Sequence, residues 1–287
     1  MSGAVIDPLL KPDALSGVRI AISASESPDL LRLGLVETHF RLALAEIARS
    51  VLVSGGKLAY GGHLEPDGYT AMLMKELHRY GRRDRPLRIY LAWQEHRKLA
   101  KADFEKQVDD LGLFGEIVCL DLDGKPVAWG NGRGVDPEPV SDATVRMQAL
   151  SALRVHMAQN ENGRVVIGGK RTGFEGAMPG VLEEAIDSVA NGQPLYVAGG
   201  FGGVAADIAT LTGMLSTKWL PALPSASVPE AGLVAGLDKL SQFVKHQGWP
   251  RNGLSDTENA QLAATHRPSE IAALVSLGLG RHFSKTT

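Results

Sequence analysis

Two rhythms of apolar and polar positions alternate along this chain. Short, continuous apolar runs recur at VRIAISA (18–24), KLAYGG (57–62), RIYLAW (88–93), EIVCLDL (116–122), RVVIGG (164–169) and PLYVAGG (194–200). Runs without polar alternation predict strands buried on both faces, as in a parallel sheet. Between them lie segments with apolar residues at helical spacing. Phe40, Leu44 and Ile47 stand at i, i+4 and i+7 of a helix running to Val53. Further helices are predicted over 67–81, with Asp67 at the start and Gly81 as the stop, and over 98–112, 141–160, 178–192 and 204–215. Beyond Pro221 only helical patterns remain, over 233–246, 255–266 and 267–283.

Strands alternating with helices are the pattern of βαβ units. The expected fold is α/β and Rossmann-like, a mostly parallel open sheet with helices on both faces and a helical C-terminal extension. The stretch 123–142 is rich in Gly, Pro and acidic residues and reads as a long loop. It is not taken as a domain boundary, because the same alternation resumes directly after it. Residues 1–220 are therefore expected to form one ligand-binding domain. Residues 221–287 are expected to be a helical extension packed on that domain or on a neighbouring subunit.

Composition narrows the function classes. With 44% hydrophobic and 22% charged residues among 287, the chain can bury a sizeable core. A formal net charge of -2 gives no overall pull toward nucleic acid or an anionic membrane. The single cysteine, Cys119, forms no intrachain disulfide and suits a reducing cytoplasm. The opening MSGAVIDPLLKPD does not read as a signal peptide, and no run approaches the roughly 18 apolar residues of a membrane span. A cytoplasmic location is expected.

Glycine changes the picture. There are 33, well above the ~7% typical share, and they gather in bursts after the strands. Right-handed crossovers would bring four such loops to one sheet edge. They are Ser23, Ser25 and Glu26; Gly61, Gly62 and His63 running to Gly68, Tyr69 and Thr70; Gly168, Gly169, Lys170 and Arg171 running to Gly180; and Gly199, Gly200, Phe201, Gly202 and Gly203. Glycine allows close backbone approach, and the first-turn amides of a helix attract anions, so a phosphate-bearing ligand is the natural guest. Tight turns between strand and helix are the plain alternative for any one loop.

Named phosphate motifs mostly fail. Neither Gly55-Gly56-Lys57 nor Gly168-Gly169-Lys170 is followed by the Ser or Thr of a P-loop. Gly200, Gly202 and Ala205 satisfy G-x-G-x-x-A, but no acidic residue stands about 20 positions on to hold a ribose; after Asp207 the next is Glu230. The eight histidines show no metal-ligand spacing, G-x-S-x-G is absent, and Cys119 and His156 read as packing residues. No metal or cofactor is expected. Glu183 and Glu184, just inside the helix that follows Pro179-Gly180, are the candidate catalytic carboxylates. One could hold ribose hydroxyls or stabilise positive charge at a breaking C1′ to N bond. Lys170 and Arg171 could meet a pyrophosphate, and ordinary solvated charges are the alternative.

These residues resemble the SLOG superfamily of Rossmann-like domains, which includes the Lonely-guy phosphoribohydrolases, the DNA-processing protein A group, melastatin channel domains and sensors of bacterial antiphage systems. Tyr60-Gly61-Gly62-His63 followed by Gly68-Tyr69-Thr70 is similar to the Lonely-guy Y-G-G-G and G-L-M-G motifs. GGKRTGFEGAMPGVLEEA echoes the later P-G-G-x-G-T-x-x-E motif, with Glu184 at its glutamate and Val181 where threonine should stand. The insertion between Lys170 and Pro179 breaks the enzymes' spacing. The resemblance covers roughly Val18 to Leu215. It implies a pocket for a nucleotide or an ADP-ribose-like, NAD-derived metabolite, with phosphates on the glycine loops and ribose near the carboxylate. In the defence branches it implies a homo-oligomeric sensor beside a TIR-type effector, and in the Lonely-guy branch cleavage of a nucleotide N-glycosidic bond by Glu184. A third possibility is a structural subunit whose glycines only make turns.

Overall fold

The computed structural model describes residues 12–65, 67–80, 83–219 and 229–283. Within them the strands are β1 (Arg19–Ser25), β2 (Lys57–Gly61), β3 (Leu87–Leu91), β4 (Gly115–Leu120), β5 (Pro126–Val127), β6 (Gly163–Gly168) and β7 (Leu195–Ala198). They form one sheet in the order β5-β4-β3-β2-β1-β6-β7. Every neighbouring pair is parallel except β4 with β5. The fold is α/β and Rossmann-like. After β1 the chain builds outward through β2, β3 and β4, then returns to lay β6 on the other side of β1. The ends of β1 and β6 therefore finish together, Ser23 opposite Val166 and Ser25 opposite Gly168. An open sheet has its natural crevice at such a reversal of strand order.

Side chains alternate across the sheet and sort the helices onto two faces. Ile20, Ile22, Val165 and Ile167 point to one face, where Phe40, Leu44, Ile47 and Val51 of α1 (Glu37–Val53) and Leu73 and Leu77 of α2 (Tyr69–Tyr80) cover them. Each large apolar side chain so buried contributes about 1.5–3 kcal/mol. Ala21, Ala59 and Ala92 point to the other face, where Leu153 and Met157 of α5 (Ala143–Asn160) pack against them. Val166, Leu195 and Val197 on that side are covered by α6 (Gly180–Ala190) and α7 (Gly203–Leu211). Asp142 starts α5 by accepting from the Thr144 N–H at 2.7 Å, an N-cap that satisfies an open helix donor.

The tail helices lie against this body. α8 (Ala231–Gln247) buries Leu233 and Leu240 in the α6–α7 cluster, and α9 (Asp256–Ala264) places Leu262 and Ala263 beside the sheet. α10 (Pro268–Phe283) inserts Ile271, Val275 and Leu279, none of them exposed, into the cluster formed by α1. The predicted stop Gly81 and the boundary at 220/221 lie outside the described residues.

Two readings of the sequence are corrected. The strand predicted over 88–93 is β3 and stops at Leu91, and Trp93 opens a short unpredicted helix, α3 (Trp93–Arg97), ahead of the helix predicted over 98–112, which is α4 (Lys101–Leu111). Arg133 closes the turn between the two helices by donating to the carbonyls of His96 and Leu99, the latter at 2.5 Å, so α3 can end there with its carbonyls satisfied. The loop 123–142 also contains a strand, the two-residue β5, which pairs antiparallel on the sheet edge.

Candidate ligand-binding site

A cavity of about 400 Å³ opens at the crevice between β1 and β6. This is within the roughly 300–1,000 Å³ of ordinary small-molecule sites. Of the residues expected from sequence, Ser23, Ser25, Gly61, Gly62, His63, Lys170, Gly180 and Glu184 line it. Tyr60, Leu153, Arg154, Phe174 and Val181 complete the part that matters for recognition.

Glu184 reaches the cavity from the second turn of α6. Its Oε2 accepts from Ser23 Oγ in a close contact and from Arg164 Nη1 at 2.5 Å. Its Oε1 lies 3.9 Å from Arg154 Nε and among the described residues takes part in no hydrogen bond, which leaves one carboxylate oxygen for a guest. Arg164 is completely buried on β6, and the Ser23 and Ser188 hydroxyls accept from it at 2.7 and 2.8 Å. A buried guanidinium needs such partners, since its desolvation is otherwise uncompensated. The effect is to clamp one edge of Glu184.

Glu183 stands behind this pair. It is bonded to Arg154 and accepts from Ser151 Oγ at 2.5 Å, and it does not line the cavity. One turn further, burial and the nearby Glu183 charge push the Asp187 carboxyl up to about 6. At the cavity floor, burial and the Glu184 charge push the Tyr60 phenol up, so it stays neutral.

α6 begins behind Pro179 without a side-chain cap. The Leu182 and Glu183 amides turn back onto the Pro179 carbonyl at 3.0 Å, and the Gly180 and Val181 residues at the very start line the cavity. A helix start of this kind favours an anion. A Cβ on Gly180 would lie 2.7 Å from Arg154 Nη2, so glycine here lets a guanidinium cross the helix start. Around the mouth, Lys170 Nζ lies 3.4 Å from the exposed Glu26, and Lys98 lies 2.6 Å from Glu95.

Other expected residues are placed elsewhere. Gly168 and Gly169 are packing positions: both have positive φ, and a Cβ on Gly168 would lie 2.5 Å from the Ser25 carbonyl. The Gly169 and Lys170 amides already donate to Ser25. Gly199, Gly200, Phe201 and Gly202 form a buried turn under α9; a Cβ on Gly200 would stand 1.9 Å from the Thr265 carbonyl. The anion expected at the start of α7 is the chain's own, since the Gly203 N–H donates to Asp29 at 2.8 Å. Burial opposes ionisation of Asp29, but that bond and Arg171 outweigh it and hold its carboxyl below the usual range. Arg171 is thereby committed to Asp29 and Asp207, away from the cavity. Tyr69 donates to Glu37, Thr70 to the His63 carbonyl, and Gly68 packs on the His63 ring.

Sequence reasoning missed Arg154, Arg164 and Phe174. A charged residue opening an otherwise apolar buried strand was the available signal for Arg164. Among the described residues no group of three or more His, Cys, Asp or Glu side chains is placed to hold a metal ion, and no helix is long and apolar enough to cross a membrane.

Residues 14–262 match the family described as SLOG cluster2. The chain belongs to the SLOG superfamily. The SLOG match runs from just before β1 into α9, so it spans the sheet, the cavity and the start of the helical tail. Membership points to a nucleotide-related Rossmann-like protein. No curated protein sequence matches the chain.

Proposed function

We propose that this SLOG protein binds a nucleotide-derived ligand, ADP-ribose or an NAD-derived relative, in the β1–β6 cavity and acts as a sensor. The observation that carries the reading is Glu184, which lines the cavity: one oxygen is clamped by Ser23 and Arg164, and the other, 3.9 Å from Arg154, accepts no hydrogen bond among the described residues. A fixed carboxylate with a free acceptor is suited to ribose hydroxyls. The start of α6 and Lys170 supply positive potential for a phosphate. Ser25, Gly61, Gly62 and His63 form the facing wall. A cytoplasmic location, a homo-oligomeric state and a TIR-type or other effector partner belong to the same proposal, supported by the likeness to SLOG sensors.

Titration calorimetry with ADP-ribose, NAD and AMP tests the reading. Wild-type protein should bind at least one of them, and Glu184→Gln or Lys170→Ala should weaken that binding. Absence of binding to every nucleotide would refute it.

A second reading, an N-glycoside hydrolase or transferase, is favoured by the same Glu184. An ion-paired carboxylate beside a ribose can stabilise the positive charge that develops at C1′ as the bond to the base breaks. Release of free base, lost in Glu184→Gln, would mark it.

A further inference from the structure

Phe174 is a half-buried aromatic residue in the insertion between β6 and α6 that lines the cavity. Among the described residues it joins none of the three apolar clusters and pairs with no other ring. Large side chains are usually placed by packing into such clusters, so this one is held by something else. That support is the first turn of α8. A Cβ on Gly232 would lie 3.0 Å from Phe174 Cε2 and Cζ and 2.4 Å from the Ala177 carbonyl, so the α8 main chain itself backs the ring. The Gly173 N–H donates to Glu230 Oε1 at 3.0 Å and pins the same loop one residue earlier. The other aromatic of the cavity is not equivalent: the Gly62 main chain lies over the Tyr60 ring, where a Cβ would come within 2.5 Å of Cε1. Phe174 is thus the aromatic side chain whose support comes from outside the cavity and whose contact inside it is unused.

We propose that Phe174 is the base-recognition residue of this cavity, stacking on the planar heteroaromatic base of the ligand, and that α8 positions it. This rests on the nucleotide reading of the site and assigns it a specificity element: the ligand carries an intact base, with ribose toward Glu184 and phosphate toward the start of α6. Base-on-aromatic stacking is tolerant of base identity and sensitive to loss of the ring.

The test compares AMP with ribose 5-phosphate, its base-free counterpart, by titration calorimetry on the full chain. Phe174→Ala should weaken AMP roughly ten-fold or more, in line with loss of a stacked ring, and leave ribose 5-phosphate unchanged. Phe174→Trp should retain AMP affinity, and Gly232→Ala should reproduce the selective loss with Phe174 still present. Equal weakening of both ligands by Phe174→Ala, or no change in either, would overturn the assignment while leaving the cavity's ligand class standing. Failure of wild-type protein to bind AMP and every other nucleotide would overturn the site reading, and this assignment with it. Circular dichroism on each variant separates loss of stacking from loss of fold.

Discussion

Arg164→Met removes the guanidinium that ties β1, β6 and α6 together beneath the cavity. Arg164 is completely buried, and it donates to Glu184 at 2.5 Å, Ser23 at 2.7 Å and Ser188 at 2.8 Å. A charge-assisted bond to a carboxylate is worth about 1.5–3 kcal/mol, and bonds to hydroxyls about 1 kcal/mol each. The sum, about 3–5 kcal/mol, agrees with the usual cost of leaving one member of a buried ion pair without its partner. Methionine fills much of the vacated volume, so the loss is electrostatic in origin. Urea denaturation should show a lower midpoint with an unchanged slope. The double variant Arg164→Met/Glu184→Gln should be less destabilised than the two single losses added together, because removing both charges removes the unpaired one. A loss under about 1 kcal/mol for Arg164→Met, or strict additivity in the double variant, would refute the clamp.

Other variants separate packing from binding and follow the buried acids. Gly200→Ala places a Cβ 1.9 Å from the Thr265 carbonyl, and main chain cannot yield as a side chain can; it should lower stability by about 1–3 kcal/mol, read by thermal denaturation, without changing nucleotide affinity in the folded protein. Asp187, raised to about 6 in the folded state against ~3.9 when unfolded, favours folding below about pH 4 and loses that contribution as pH rises through 6. Tm should therefore fall between pH 4 and 6 more steeply in wild type than in Asp187→Asn, and identical profiles would contradict the assignment. Burial pushes the Cys119 thiol up to about 12, so it should react with a thiol reagent only after unfolding, and rapid labelling of native protein would contradict its buried placement.

The sheet was legible because its parallel strands are buried on both faces, and such strands read as unbroken apolar runs. β5 was not, since a two-residue edge strand beginning at Pro126 has neither run nor period. The short helix α3 was hidden for a different reason. Residues 93–97 are too few to show a helical period, and the turn that ends them is closed by Arg133, far along the chain. The site was legible in part. Glu184 and the Ser23, Gly61 and Gly180 positions could be placed because strand ends and helix starts fix the sheet edge. The Gly199–Gly203 burst could not be told from a ligand loop, because close approach of Thr265 and close approach of a phosphate ask the same thing of the backbone. Only the tertiary fold shows that Asp29 already occupies the anion position at α7.

The central claim is that the β1–β6 cavity takes a nucleotide-derived ligand with Glu184 at its ribose. The most direct measurement incubates wild-type and Glu184→Gln protein with NAD, ADP-ribose, cyclic ADP-ribose and AMP and identifies retained ligand and released products by mass spectrometry. The account predicts one intact nucleotide retained at stoichiometric level by wild type and weakened in the variant. Release of free base by wild type alone would turn the account to the hydrolase reading, and no retention and no product from any of the four would contradict it.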